Sequence, residues 1–283
     1  MRRVPHHLAH VLAGCLDNGI DGPVLGVAWD GTGYGGDGTI WGSEFLAVAD
    51  GHWRRSAHLL PLALPGGEAA MREPWRSALG ALITLYGDTA FEMSELPVIA
   101  TLSPTETQVL RTVLTRRINA PFTSSAGRLF DAVAALLGLC RTSSYEGEAA
   151  TAVEFSAARA IEAHALDRIV LVADGAGPVV LDWRPMLASL VAGLADGVPA
   201  EPLALGFHQA LADAIVAVAE TIGIADVLLT GGCFQNAVLA VTAQQRLAAA
   251  GFVVHTHRRI PPNDGGLAAG QAMFARHPLE EII

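Results

Sequence analysis

The sequence predicts an α/β protein, on three observations. Strand signals follow one another in the first quarter of the chain, a long helical stretch comes next, and strand and helix alternate in the last quarter. Alternation of this kind is typical of a parallel sheet covered by helices. Alanine makes up much of the 51% hydrophobic composition, and the chain has 30 glycines, which together suit closely packed α/β layers.

The first elements are a short helix and three strands. A helix is predicted over 5–18 because Pro5 is favoured in a first helical turn. An apolar strand at 24–29 is expected to end at the glycine-rich stretch 30–38. Strands at 39–48 and 53–60 meet at Asp50-Gly51, a strong hairpin dipeptide. The order of strands and turns predicts an antiparallel meander.

The middle of the chain has helical periodicity from Glu73 to about Leu139, with breaks at 102–104 and Pro121. Ser124 or Ser125 is expected to cap a helix that ends before Gly138. Beyond it, the pattern predicts a hairpin of strands at 168–173 and 179–183, turning at Asp174-Gly175, and a long amphipathic helix over 202–222.

The last quarter predicts a βαβ unit. Its elements are a strand at 226–230, a turn at Gly231-Gly232, a helix at 236–250, a strand at 252–256 and a closing helix at 266–276. The glycine pair therefore lies at the carboxyl end of a strand, where open α/β sheets bind ligands.

Composition argues against several classes of protein. A net charge of −10 and scattered arginine doublets give no basic face, so we expect no nucleic-acid partner. No apolar run approaches the ~20 residues of a spanning helix, so no membrane partner is expected. The 3 cysteines are far apart, which disfavours a disulfide framework and a cysteine zinc site. Since no export signal is visible, we expect a cytoplasmic protein.

His6 and His10 are candidate metal ligands. Their i, i+4 spacing puts both imidazoles on one helical face, although such spacing is also common in ordinary helices. His7 points about a quarter-turn away. Asp264 is either an N-cap of the final helix, which local chemistry favours, or a third, oxygen ligand. A His-His-Asp site suits divalent iron or zinc, and the sequence does not rank them.

Two glycine-containing stretches are candidates for nucleotide binding. In Asp30-Gly31-Thr32, backbone N–H groups and the Thr32 hydroxyl are suited to phosphate, and Asp30 to a magnesium-bound water. An ordinary hairpin loop explains that stretch equally well. Gly231 and Gly232, which come directly before a helix, are a similarly modest signal.

Three more residues are candidates for contact with a ligand. Asn236 is suited either to capping its helix or to a hydrogen bond with a ligand. Gly127 would let a ribose approach closely, and Asp131, four residues later, could accept its two hydroxyls. An aspartate inside an apolar helix needs a partner, because burying an unpaired charge is costly. Arg128 is a poor partner if it faces solvent, which favours a ligand.

The order of the motifs resembles one family. In succession the chain contains His6-His-Leu-Ala-His10, Asp30-Gly-Thr-Gly-Tyr-Gly35, Thr39-Ile-Trp-Gly42, Leu64-Pro-Gly-Gly67, Arg72-Glu-Pro-Trp-Arg76, Thr123-Ser-Ser-Ala-Gly-Arg-Leu-Phe-Asp131, Tyr145-Glu-Gly147, Gly231-Gly-Cys-Phe-Gln-Asn236 and Pro261-Pro-Asn-Asp-Gly-Gly266. Over nearly its whole length it resembles the C-terminal part of the HypF family, the carbamoyltransferases of [NiFe]-hydrogenase maturation.

The resemblance implies an actin-like nucleotide-binding fold. Residues 1–22 would be a metal-binding helix from the end of the first lobe, and 23–283 a largely complete second lobe with a helical insertion at about 70–140. His6, His10 and Asp264 match the family's metal ligands, against the local preference for a cap at Asp264. The residues that match the lining of a carbamoyl-adenylate pocket are Asp30, Gly31, Thr32, Gly127, Asp131, Gly231, Gly232 and Asn236.

The implied enzyme moves the carbamoyl group of carbamoyl-adenylate to the C-terminal cysteine thiol of a HypE-type protein. It would use ATP, magnesium with the nucleotide, and the divalent iron or zinc. A nucleophile from the partner explains why no local cysteine is in an activating sequence context. The family's acylphosphatase-like, zinc and YrdC-like modules and most of its first lobe do not occur in the sequence. We therefore expect a fragment, a split subunit or a truncated copy, supplied with those modules in cis or in trans.

Two other functions remain open. An O-carbamoyltransferase acting on a small hydroxylated metabolite would share the fold, although the stretch 34–41 argues against it. A non-catalytic, truncated nucleotide-binding lobe is the other alternative, because a ligand cleft needs both of its walls.

Overall fold

The computed structural model describes residues 3–173, 175 and 177–282. Its strands are β1 Val24–Tyr34, β2 Ile40–Ala49, β3 His52–Leu59, β4 Leu62–Ala63, β5 Phe122–Thr123, β6 Val170–Val172, β7 Val179–Asp182, β8 Asp226–Thr230, β9 Val253–His255 and β10 Glu280–Glu281. Its α-helices are α1 His6–Asn18, α2 Pro74–Tyr86, α3 Pro97–Ala100, α4 Pro104–Arg116, α5 Ala126–Leu136, α6 Glu148–Arg159, α7 Arg184–Ala195, α8 Ala200–Ile222, α9 Ala237–Ala249 and α10 Leu267–Arg276. Short 3-10 helices cover Gly67–Met71, Gly87–Glu92, Gly232–Gln235 and Asp264–Gly266.

A ten-stranded mixed sheet forms the centre of the protein, in the main order β6-β7-β3-β2-β1-β8-β9. The meander β1-β2-β3 is antiparallel, as predicted, and β8 and β9 continue the sheet parallel to β1. The predicted α/β class and the closing βαβ unit are therefore confirmed. Ala28 of β1 lies opposite Thr230 of β8, so residues 30–32 within β1 and the Gly231-Gly232 turn after β8 lie at the same edge of the sheet.

Strand β1 is longer than the sequence predicts. The expected end at Asp30 was wrong, because β1 continues to Tyr34 and the turn lies beyond it. The pairing with β2 shifts register between Trp29 and Gly33, which makes the intervening residues a bulge in a continuous strand. The hairpin at Asp50-Gly51 is confirmed, and both residues have the positive φ angles, 50° and 77°, of a primed turn.

The helical middle section is confirmed, with additions. Ser125 caps α5 by accepting the N–H of Arg128, and Gly138, at φ 71°, follows the last turn. Strand β5 and helices α6 and α7 were not predicted from the sequence, although α7 has a proline in its first turn. The hairpin of β6 and β7 is confirmed, whereas Asp174 of its predicted turn lies outside the described residues.

The sheet has a hydrophobic core on each face. The larger core packs α2, α5, α6, α7, α8 and α9 against one face, and the smaller packs α1 and α10 against the other. Side chains of β8 alternate between them: Leu228 lies in the smaller core, and Val227 and Leu229 lie in the larger. Helix α8 is long and apolar enough to cross a membrane by length and composition, but 67% of its most apolar window is buried inside the protein.

Helix α1 is fixed by close contacts on two sides. A Cβ at Gly26 of β1 would lie 2.3 Å from Val11, and a Cβ at Gly270 of α10 would lie 1.8 Å from the carbonyl oxygen of Ala9. Helix α1 therefore lies closer to β1 and to α10 than a side chain at either glycine would permit. The division of the chain between residues 22 and 23 stays a prediction.

We predict that Gly270→Ala destabilises the protein. Alanine normally favours a helix interior, but here its methyl group would overlap a backbone carbonyl on α1, and overpacking costs about 1–3 kcal/mol. Chemical denaturation should show a lower free energy of unfolding than in Gly22→Ala, whose Cβ has nothing within 4 Å. A Gly270→Ala protein as stable as this control would contradict the described contact of α1 with α10.

Candidate functional site

Four side chains from three parts of the chain converge at the edge of the sheet. His6 and His10 lie one turn apart on α1, Asp30 lies at the bulge of β1, and Asp264 begins a 3-10 helix before α10. One donor atom from each lies within 4.8 Å of all the others. We call these four residues the His-Asp cluster.

The distances in the cluster place its donors around a common point. Asp30 Oδ2 is 2.8 Å from His6 Nε2 and 3.2 Å from His10 Nε2, and the two Nε2 atoms are 3.2 Å apart. Asp264 Oδ1 is 3.4 Å from each histidine. His10 is buried with its Nδ1 unpartnered, whereas the side chain of Asp264 is 69% exposed. The cluster is thus closed on one side and open to solvent on the other.

The donor set fits a divalent cation. Two imidazole nitrogens and two carboxylates are ligands that suit divalent iron or zinc. The two Nε2 atoms face the same Asp30 carboxylate and compete for its hydrogen bond. A cation at the centre of the His-Asp cluster would accept a lone pair from each of the four side chains. The open side leaves room for further ligands, as catalytic metal sites require.

The electrostatics of the cluster agree with this fit. Burial alone would raise the pKa of Asp30, but hydrogen bonds with His10 and His6 outweigh it and hold that pKa well below the usual range. Burial alone would lower the pKa of His6, yet its hydrogen bond with Asp30 leaves it raised. Asp30 is therefore ionised at neutral pH. A cation at the cluster would take the place of the histidine proton that now lies between His6 and Asp30.

The glycine pair Gly231-Gly232 supports the cluster. The N–H of Gly232 donates to Asp30 Oδ1 at 3.2 Å, and the N–H of Gly231 donates to the carbonyl of Pro262 at 3.0 Å. A Cβ at Gly231 would lie 2.1 Å from the carbonyl oxygen of Trp29. The end of β8 thus holds both the strand that carries Asp30 and the loop that leads to Asp264.

Several predicted nucleotide residues lie next to the cluster. Thr32 is exposed on β1 beside Gly31. A Cβ at Gly127 would lie 2.9 Å from the Cα of Gly31, so the start of α5 packs directly on the bulge of β1. Gly127 is consequently required by this packing, and its role toward a ribose stays a prediction.

Asn236 caps α9, one of the two roles left open for it. Its Oδ1 accepts the N–H of Leu239 at 2.9 Å, and its Nδ2 lies 2.9 Å from His208 Nε2. The amide is buried and both of its ends have partners within the protein. Contact with a nucleotide stays a prediction.

The condition under which Arg128 would be a poor partner for Asp131 is not met. Arg128 does not face solvent, because α5 is buried on all sides, and its Nη1 lies 2.7 Å from Asp131 Oδ2. Burial raises the pKa of Asp131 to about 6, although the Arg128 charge opposes that rise. Asp131 therefore has a charged neighbour inside the protein, at ion-pair distance but without hydrogen-bond geometry, and its role as a ribose ligand stays a prediction.

Two residues of the site, Asp30 and Asp264, have places in the structure that differ from those that local sequence chemistry predicted. The sequence assigned Asp30 to a nucleotide, whereas the structure places it among the candidate metal ligands. Its position after a buried strand, level with Gly231, was the available signal. The local preference for Asp264 as the cap of the final helix was also wrong, because Gly266 lies at that position, without a side-chain cap, and Asn263 caps the 3-10 helix before it. His7 lies outside the cluster, fully buried, with both ring nitrogens unpartnered and its pKa lowered to about 4 by burial.

Comparisons with known proteins agree on one family. Residues 26–271 match the family described as carbamoyltransferase, Kae1-like domain, second subdomain. The chain is 36% identical to the carbamoyltransferase HypF of Synechocystis, covering 95% of this chain and 36% of the relative. It is 41% identical to a carbamoyltransferase HypF homolog of Cupriavidus necator, covering 97% of this chain and 71% of that protein. A solved structure of full-length HypF in a phosphate- and nucleotide-bound form matches 96% of this chain and 35% of its own, at 32% identity and a TM-score of 0.87.

We predict that the chain binds one Zn²⁺ ion and that Asp30→Asn weakens this binding. Loss of a metal ligand should lower the affinity for Zn²⁺ by more than the ~10-fold that follows from loss of an outer-shell partner. Competition with a chromophoric chelator measures the affinity. Asp50→Asn, a change in an exposed turn, should bind as tightly as the unmodified chain. Equal affinity in the Asp30 variant would remove this carboxylate from the ligand set.

We also predict a pH-dependent effect of Asp131→Asn on stability. The pKa of Asp131 is about 6 in the folded protein, above its unfolded value, so the native state binds more protons between these values. Its contribution to stability is therefore lost as pH rises from about 4 to 7, by roughly 2–3 kcal/mol.

The measurement is the free energy of unfolding of both proteins across this range. The free energy of unfolding of Asp131→Asn should rise relative to that of the unmodified protein as pH rises. The free energy of unfolding of Asp50→Asn should change with pH in parallel with that of the unmodified protein. A difference between the Asp131 variant and the unmodified protein that does not change with pH would show that the carboxyl titrates normally.

Proposed function

Because this chain belongs to the HypF carbamoyltransferase family, we propose that it transfers the carbamoyl group of carbamoyl-adenylate to the C-terminal cysteine thiol of a HypE-type protein. The predicted family resemblance and nucleotide-binding fold are confirmed by the family match and the structural match. The chain spans about a third of the length of the HypF relative from Synechocystis. The single observation that carries the proposal is the His-Asp cluster at the edge of the sheet, beside the Gly231-Gly232 turn.

The nucleotide part of the proposal is supported by the solved relative. That full-length HypF is described as phosphate- and nucleotide-bound, and it matches this chain at a TM-score of 0.87. In this chain, Gly31, Gly127 and Gly232 bring backbone close to the cluster without intervening side chains. We propose that the N–H of Gly127 and the hydroxyl of Thr32 receive the phosphate of the adenylate, while the N–H of Gly232 stays with Asp30 and magnesium accompanies ATP.

The metal part rests on the donor set. His6, His10, Asp30 and Asp264 would hold a divalent iron or zinc ion, since their donors already face one point. Such an ion supplies Lewis-acid polarisation of a carbonyl group. The residues of the chain fix its place: α1 presents both imidazoles, and the N–H of Gly232 orients the Asp30 carboxylate. The exposed side of Asp264 would admit the carbamoyl group.

The proposed transfer balances with an external thiol. The partner's sulfur attacks the carbamoyl carbon, a carbon–sulfur bond forms, and the bond from that carbon to the phosphate oxygen breaks. AMP leaves with the electron pair, and the thiol proton passes to solvent. The product is a thiocarboxamide on the partner's cysteine.

The cysteines of this chain are unsuited to be the nucleophile. Burial raises the pKa of Cys15 to about 12, and it also raises the pKa of Cys140 and Cys233 above the ordinary thiol value. At neutral pH these three side chains are therefore protonated thiols with low reactivity. This supports a nucleophile that arrives on another protein. The YrdC-like and acylphosphatase-like modules of the family would supply the adenylate in cis or in trans.

We predict that His10→Ala abolishes carbamoyl transfer. The change removes a buried donor of the His-Asp cluster, so the carbamoyl carbonyl would lose its polarising ion. The assay mixes the chain with a HypE-type partner, synthetic carbamoyl-adenylate and ferrous iron or zinc, and measures the intact mass of the partner. A single carbamoyl adduct on its C-terminal cysteine is expected with the unmodified chain.

His277→Ala is the matched control, since His277 is exposed at the end of α10, and it should retain the adduct. A carbamate on a hydroxylated metabolite instead of a thiol would favour the O-carbamoyltransferase alternative. Failure of the chain to bind adenine nucleotide or metal would favour a non-catalytic lobe.

A further inference from the structure

A buried carboxylate on α1 holds a backbone segment outside the helix. Asp17 is 5% exposed, and its Oδ2 accepts the N–H of Arg258 at 2.5 Å and that of Arg259 at 3.0 Å. The side chain of Arg259 contributes little, because its Nε is 3.6 Å from Asp17 Oδ1 and the side chain is 83% exposed. The contact is therefore between a carboxylate and main-chain amides.

The segment that Asp17 holds leads directly to the His-Asp cluster. It begins after β9 and ends at Asp264, and Asn18 adds a second hydrogen bond to it, from its Nδ2 to the carbonyl of Thr256 at 3.0 Å. Helix α1 thus touches the segment at both ends. Its last turn holds residues 256–259, and its first turns carry the histidines that face Asp264.

The loop that leads to Asp264 is held at a few points, of which Asp17 is one and the bond from the Gly231 N–H to the Pro262 carbonyl is another. The side chain of Asp264 is 69% exposed, and the residues from Thr256 to Asn263 form neither helix nor strand. Segments of this kind move more readily than the elements that they connect. The placement of the Asp264 carboxylate beside His6 and His10 consequently depends on the bonds that hold the segment.

A carboxylate suits this task better than a neutral side chain. Two N–H donors point at the same acceptor, and a charged acceptor makes roughly twice as strong a hydrogen bond as a neutral one. Burial alone would raise the pKa of Asp17, but the backbone N–H groups of Arg258, Arg259 and Ile260 outweigh it and leave the pKa lowered. The side chain is therefore ionised at neutral pH.

We propose that Asp17 is a positioning residue of the metal centre, which fixes the 258–264 segment so that Asp264 reaches the ion held by His6 and His10. The inference rests on the proposed metal site and extends it to a residue that touches neither metal nor substrate. Asp17→Asn tests it with little change in shape. The charge that strengthens both bonds is lost, and the amide nitrogen that replaces Oδ1 can no longer accept the N–H of Arg259.

A double-mutant cycle separates positioning from general stability. The affinity for Zn²⁺ is measured by chelator competition in the unmodified chain, Asp17→Asn, Asp264→Asn and the double variant. Asp17→Asn should weaken Zn²⁺ binding about tenfold or more in the unmodified background, as loss of an outer-shell partner does. In the Asp264→Asn background, it should weaken binding less than about twofold, because the ligand that it positions is already absent.

Three controls make the outcome decisive. Arg259→Gln should bind Zn²⁺ as the unmodified chain does, since only the backbone of Arg259 is used. The visible absorption of the Co²⁺-loaded protein should change in the same way in Asp17→Asn and Asp264→Asn. If Asp17→Asn does not fold by circular dichroism, Asp17→Glu, which keeps the charge but displaces it, takes its place with the same expected pattern.

Two results would overturn the inference in distinguishable ways. Equal weakening of Zn²⁺ binding by Asp17→Asn in both backgrounds would show that Asp17 only stabilises the fold, and the metal site would stand. An unmodified chain that binds no Zn²⁺ would remove the proposed metal site and the inference with it.

Discussion

The convergence of two imidazoles and two carboxylates on one point is the constraint on which the rest of the site depends. Like groups crowded together repel or compete for protons, so this arrangement persists only if the backbone around it is held firmly. Helix α1 supplies both histidines from one face, and β1 supplies Asp30 at a bulge. The buried side of the cluster makes its geometry rigid, and the open side makes it accessible to a ligand.

Close backbone packing provides that firmness. Gly26 and Gly270 let β1 and α10 approach α1, and Gly127 and Gly231 let α5 and β8 approach β1, each at distances that a Cβ would forbid. The glycines that the sequence suggests for ligand approach therefore serve first to bring secondary-structure elements together. A site built in this way can present bare backbone N–H groups to a phosphate, because the same glycines leave no side chains in front of them.

The sequence predicts the elements better than it predicts the partners of its polar residues. Periodicity and turn residues are local signals, and they locate α1, the meander and the βαβ unit. The role of Asp30 depends on a bulge and on the pairing of β1 with β8, which are long-range. The Arg128–Asp131 pair depends on burial of all sides of α5, which a pattern of residues within one helix does not reveal. At Asp264, the family resemblance implies a metal ligand where local chemistry favours a cap.

The most direct test of this account is a crystal structure of the chain grown with Zn²⁺, with an anomalous difference map at the zinc edge. The account predicts one strong peak per chain, at about 2.0–2.2 Å from His6 Nε2, His10 Nε2 and the carboxylates of Asp30 and Asp264. A map with no peak at these four residues, or with zinc bound only elsewhere on the protein, would contradict it.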